Sequence, residues 1–177
     1  LLRLNAFSKG YSAIRMETAE LLKEFLNRGI HPCIPQWGSV GASGDLTPSS
    51  HVALALMGEG EVVYKGKRME PKKALKAEGL KQVQFKAKEG LALINGTTMM
   101  TGVGALQLVD AWNLLHSAEI ITAISMGALG ASTEPFSAMG HEVKPHPGQI
   151  AVAGNLRKLL KGCELVIDEE KLKKIQD

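Results

Sequence analysis

The stretch TTMMTGVGALQLVDAWNLLHSAEIITAISM, residues 97–126, is the longest run of helix-forming sequence in the chain. Apolar side chains cover most of its circumference, and Asp110, Asn113, His116 and Glu119, spaced three apart, leave one narrow polar stripe. A helix of this kind belongs at the centre of a bundle, within one subunit or between several. Residues 91–109 carry no formal charge, but Asn95, Gln107 and several Thr and Gly make them too polar for a membrane span. Around this element the pattern stays helical. Ile14, Leu21, Leu22, Phe25 and Leu26 share the face of a helix that Gly29 ends, with Pro32 beyond it. Asp45 opens another helix, Pro71 a short one closed by Gly79, and residues 147–160 a last one after the His-Pro-Gly turn. Glu61–Tyr64 and Lys67–Met69 flank Lys65-Gly66 as a small hairpin, and His31–Gly44 reads as a loop. The expected fold is all-α: a long-helix bundle with a small β-hairpin, forming part of a larger, mainly helical subunit. No internal domain boundary is visible in residues 1–177.

Composition narrows the function classes. The 177 residues carry a net charge of +3 with both signs mixed, and the densest basic patch, Lys65 to Lys76, has only Tyr64 beside it to stack on a base. A solvated surface is the better reading than a nucleic-acid interface. Cys33 and Cys163 are far apart and fit no metal spacing, the carboxylates do not cluster, and reduced thiols point to the cytoplasm. Neither a metal site, a membrane segment nor a nucleic-acid partner is expected.

The chemistry concentrates in Gly38-Ser39-Val40-Gly41-Ala42-Ser43-Gly44-Asp45-Leu46. Ser43 has a hydroxyl that can leave as water, and the Gly44 nitrogen has no Cβ beside it. Attack of that nitrogen on the Ala42 carbonyl, with loss of water, closes a five-membered ring. Dehydration of Ser43 then leaves an exocyclic methylene, giving a 4-methylidene-imidazol-5-one. Such a group is an electrophile, which proteins otherwise take from a cofactor. Asp45 directly follows and reads from the residues as a helix N-cap. Asn95, in Ile94-Asn95-Gly96-Thr97, reads from the residues as the N-cap of the long helix. The run is not a hydrolase elbow, because Asp45 occupies the place of the second Gly. It also lacks the Lys-Ser/Thr of a phosphate loop. Gly102-Val103-Gly104 lies inside a helix with no strand before it, which excludes a dinucleotide fingerprint.

The whole run Gly-Ser-Val-Gly-Ala-Ser-Gly-Asp-Leu-Thr-Pro resembles the signature of the aromatic amino acid ammonia-lyases, with Ser49 where that family usually has Leu. Leu2-Arg3-Leu4-Asn5, Lys9-Gly10-Tyr11-Ser12, Lys88 to Thr97 and His146-Pro147-Gly148-Gln149 match too, in the family's order and spacing. The resemblance implies that Ala42, Ser43 and Gly44 form the prosthetic ring without an external cofactor. It further implies that Asn95 contacts the ring, that Asp45 assists its formation, and that Gln176 faces the active site. The family's catalytic Tyr is expected before Leu1 and its carboxylate-binding Arg after Asp177. The chain then reads as an internal piece, about a third of a family member, and inactive by itself.

As for substrate, the resemblance implies deamination of L-histidine to trans-urocanate and ammonia. A phenylalanine or tyrosine ammonia-lyase, or an aminomutase with the same ring, is the alternative. Thr98 leans toward that alternative, whereas the compact Val40–Leu46 context and the short Lys65-Gly66-Lys67 turn lean toward the histidine enzymes. The family also implies a homotetramer whose sites combine several chains. A non-catalytic helical assembly module is the reading from another class. A serine hydrolase using Ser43 is disfavoured by the missing elbow.

Overall fold

The computed structural model describes residues 1–41 and 44–167. Cα packing divides the chain into two compact units, Leu1–Ala105 and Leu106–Asp177. The first unit contains α1 (Leu2–Phe7), α2 (Met16–Asn27), β1 (Ile30–Pro32), α3 (Leu46–Leu56), β2 (Val62–Tyr64), β3 (Lys67–Met69), α4 (Pro71–Ala77) and α5 (Glu89–Ile94). It also holds the start of α6 (Thr98–Leu129). The fold is mainly helical with one small sheet, as the sequence leads one to expect.

Each helix of the first unit buries a face set by its own spacing. Thr18, Leu21 and Phe25 are the buried residues of α2, and α3 turns Ala53, Ala55 and Leu56 inward. These join Phe7, Ile30, Val62, Tyr64, Ala74, Leu75 and Leu93 in one core. α3 packs along α5, which brings the segment after α5 beside the segment before α3. That packing positions the candidate site.

The hairpin lies where the sequence places it. Lys65 and Gly66 both have positive φ, 50° and 75°, the conformation of a two-residue turn whose twist matches the flanking strands. Val62 pairs with Met69 and Tyr64 with Lys67. A third strand, β1, was not expected. It pairs antiparallel with β2, Ile30 opposite Tyr64 and Pro32 opposite Val62, at the free edge where Pro32's missing N–H costs no ladder bond.

Glu89 ties the helices together. Its carboxylate, almost wholly buried, accepts hydrogen bonds from Arg15 Nε at 2.9 Å, Arg15 Nη2 at 2.7 Å and Thr18 Oγ1 at 2.9 Å. The amides of Arg15 and Lys86 donate to it at 3.0 and 2.8 Å. Burial alone would raise its pKa, but the Arg15 guanidinium, the two amides and the Thr18 hydroxyl outweigh it and lower it to about 2.

The second unit holds the rest of α6, a 3-10 turn (Glu134–Phe136), α7 (Ala138–Glu142) and α8 (Pro147–Leu159). Ser132 and Ile167 form a parallel bridge. Asn155 Nδ2 donates to both Glu119 oxygens at 3.1 and 3.2 Å, so α8 attaches at Glu119, while Asp110, Asn113 and His116 of the polar stripe stay exposed. His141 joins Pro135 O and Gln149 Nε2 at 3.1 and 2.9 Å, linking α7 to the start of α8. Most of α6 is solvent-exposed in the single chain: Leu106 is 72%, Leu114 71% and Ile124 67% accessible. Among the described residues, its expected place at the centre of a bundle is not filled. Among the described residues no helix is long and apolar enough to cross a membrane.

Candidate active site

Of the six sequence-derived site residues, Gly44, Asp45 and Asn95 are among the described residues. Ala42, Ser43 and Gln176 lie outside them. The structure brings Gly44 and Asp45 onto the turn that contains Asn95. Gly44 has φ of 88°, and a Cβ built on it would lie 2.9 Å from both the nitrogen and the oxygen of Gly96. The Asp45 amide donates to Gly96 O at 3.1 Å. Two backbones separated by about fifty residues in sequence thus meet with no room for a side chain between them.

Replacing Gly44 by alanine is therefore expected to destabilise the fold by about 1–3 kcal/mol from the positive φ alone. The Gly96 backbone contact adds to this, since a main-chain atom cannot swing away as a side-chain tip can. Urea denaturation of the full-length parent and its Gly44→Ala variant measures the difference.

Asp45 occupies the N-cap position of α3, but its side chain makes no capping bond. The carboxylate is buried and accepts from Ser39 Oγ at 2.6 Å. Ser39 Oγ also lies 3.4 Å from the Gly41 amide, at the limit of a hydrogen bond. Ser39 thereby links the strand of chain before residue 42 to the acid after residue 44. Asn95 is not an N-cap. It is the C-cap that follows α5, with extended φ and ψ of −84° and 121°, while α6 begins at Thr98. Among the described residues its side chain makes no hydrogen bond, and it is exposed. Its amide is available as a donor.

The residues that hold this arrangement were given no role by the sequence. Arg3 donates from Nε to Leu93 O at 3.2 Å and from Nη2 to Asn95 O. Ser39 and Gly96 are the others. Their partners lie far away in sequence in two cases of three, and a single sequence carries no sign of such contacts. Gly96 alone gave a local hint, a Gly between Asn95 and the Thr residues that begin α6.

A prosthetic ring made from residues 42–44 fits this setting. Gly44 sits where only a residue without Cβ is accommodated, a donor amide on Asn95 stands on the abutting turn, and a buried carboxylate follows in the chain.

Residues 1–177 match the protein family described as aromatic amino acid lyase. The chain is 50% identical over its full length to histidine ammonia-lyase of Alkaliphilus oremlandii, covering 35% of that protein. It is 51% identical to tyrosine 2,3-aminomutase of Chondromyces crocatus, over 98% of this chain and 33% of that one. Its fold superposes on phenylalanine ammonia-lyase from the yeast Rhodosporidium toruloides with a TM-score of 0.85 or better, namely 0.87, at 37% identity, over 99% of this chain and 28% of that one. The chain thus spans about a third of the length of the curated relatives it matches. With its family match running through both compact units, the chain belongs to the aromatic amino acid lyase family.

Proposed function

We propose that this chain is the ring-bearing segment of an ammonia-lyase that converts L-histidine to trans-urocanate and ammonia. Ala42, Ser43 and Gly44 supply a 4-methylidene-imidazol-5-one. The observation that carries this reading is the docking of Gly44 and Asp45 on the Asn95–Gly96 turn. When formed, the ring supplies an electrophile for the substrate's amino group.

The chain's own residues then have separate tasks. Gly44 keeps the reactive segment against Gly96. Asp45, desolvated and oriented by the Ser39 hydroxyl, accepts the protons released as the ring matures. Asn95 donates its side-chain amide to the oxygen on which negative charge develops, where one oriented donor contributes about 3–4 kcal/mol. Gln176 is proposed to face the substrate. The exposed apolar face of α6 suits association with further copies, and a homotetramer is the assembly proposed.

A phenylalanine or tyrosine ammonia-lyase, or an aminomutase, is the second reading. It is favoured by the 51% identity to a tyrosine 2,3-aminomutase, beside 50% to a histidine ammonia-lyase. The full-length parent offered L-histidine, L-phenylalanine and L-tyrosine separates the readings. Release of ammonia and urocanate from histidine supports the first. An arylacrylate or a β-amino acid from the other two moves the assignment to the second. No turnover of any of them contradicts both and leaves the assembly module.

A further inference from the structure

Arg3 is the one guanidinium that reaches the candidate site among the described residues, and it does so from the first helix of the chain. Its Nε and Nη2 donate to the carbonyls of Leu93, in the last turn of α5, and of Asn95, its C-cap, neither of which receives a bond from a later turn of that helix. A cation is well suited to this place, because the C-terminal end of a helix carries partial negative charge. Cationic donors also bind carbonyl oxygens about twice as strongly as neutral ones. Nη1 lies against the open face of Gly96, 2.8 Å from where a Cβ would stand. No carboxylate pairs with Arg3 among the described residues, and burial lowers its pKa without removing its charge. Its Cζ sits 5.5 Å from the ring centroid of Phe7, which is part of the core. The guanidinium is thus anchored on one side to the core and spends its hydrogen bonds on one turn.

That turn is the surface on which Gly44 and Asp45 rest. Asp45 N donates to Gly96 O, and Gly44 has no space to its side. We infer that Arg3 is a positioning residue for ring closure: it fixes the Asn95–Gly96 turn so that the Gly44 nitrogen is held in place to react. The inference rests on the proposed role of Ala42, Ser43 and Gly44. Closure forms one bond, from the Gly44 nitrogen to the Ala42 carbonyl carbon. The Ala42 oxygen leaves as water with the amide protons of Gly44 and Ser43, which creates a carbon–nitrogen double bond. The Ser43 hydroxyl leaves as a second water with the Ser43 α-proton, which creates the exocyclic carbon–carbon double bond. No external oxidant, reductant or co-reactant is needed. A reaction between two neighbouring peptide groups is sensitive to placement, and a shift of about 1 Å costs on the order of a hundredfold in rate.

The test uses the full-length parent, with Arg3→Met and Arg3→Lys made in it. In freshly synthesised protein, the mass of the peptide spanning Trp37 to His51 is followed with time, beside melting temperature. Arg3→Met is expected to close at least about tenfold more slowly than the parent at a melting temperature within a few degrees. Arg3→Lys, which keeps the charge but not the planar fork that reaches both Leu93 O and Asn95 O, is expected to close more slowly than the parent and faster than Arg3→Met. Should Arg3→Met not fold, Arg3→Gln takes its place with the same expectation. Closure as fast in the neutral variant as in the parent, or as slow in Arg3→Lys as in it, overturns the inference. A parent that never loses the two waters contradicts the proposed function instead, so the two failures are told apart.

Discussion

Replacing Ser43 by alanine in the full-length parent is expected to lower ammonia release by a factor on the order of 10³ or more while leaving the protein folded. The Ser43 hydroxyl is the only group in Ala42-Ser43-Gly44 that can leave to create the exocyclic methylene. Alanine offers no leaving group there, so the electrophile cannot arise even if the five-membered ring closes. Removing the group on which covalent catalysis depends is a loss of the whole route and not of one contact. The change from hydroxymethyl to methyl is small, so the melting temperature should stay within a few degrees of the parent's. Activity with saturating substrate and thermal melting, measured side by side, check both halves. Retention of more than about a tenth of the parent rate would place the chemistry elsewhere.

Replacing Glu89 by alanine is expected to cost about 3–5 kcal/mol of stability, the range found when one partner of a buried ion pair is removed. Glu89 takes five hydrogen bonds from three residues, Arg15, Thr18 and Lys86. Its loss leaves the Arg15 guanidinium, the Thr18 hydroxyl and two amides facing a cavity. The pH dependence has a definite direction. Because the folded-state pKa is depressed to about 2, Glu89 binds a proton more readily in the unfolded chain. Its contribution is therefore complete above the ordinary carboxylate pKa of about 4.3 and is lost as the pH falls from there toward 2. Urea denaturation of parent and variant at pH 7 and at pH 3 checks this. The gap between them should narrow at the lower pH. Since Glu89 stands at the start of α5 and Asn95 at its end, loss of this anchor should loosen the candidate site as well.

Much of the fold was legible in the sequence where local chemistry is decisive. The Lys65-Gly66 turn, the burial of Leu21 and Phe25 on α2 and the long helix α6 follow from spacing and turn residues, whereas Ile14 precedes α2 and Leu26 on that helix is exposed. The short elements were not. α1 and α5 have six residues each, too few to hold a helix by propensity. They stand on tertiary contacts: Phe7 of α1 lies in the core, and Glu89 of α5 is bound by Arg15 and Thr18. β1 hides behind Pro32, which reads as loop until β2 is seen beside it. Of the two site residues read as helix caps, Asp45 does stand at the N-cap position of α3. Its carboxylate nevertheless turns to Ser39 and not to its own helix, and Asn95 is the C-cap of α5, three residues before Thr98 begins α6. Composition showed that α6 is apolar nearly all round. It could not show that the rest of this chain leaves most of that face open.

The most direct measurement is the mass of the peptide from Trp37 to His51, cut from the full-length parent. A mass lower by two waters than the unmodified sequence is the predicted result, and it would place the electrophile at Ala42-Ser43-Gly44, beside the Asn95–Gly96 turn. An unmodified mass would contradict the ring, reduce those residues to a loop, and leave the chain as a helical assembly segment.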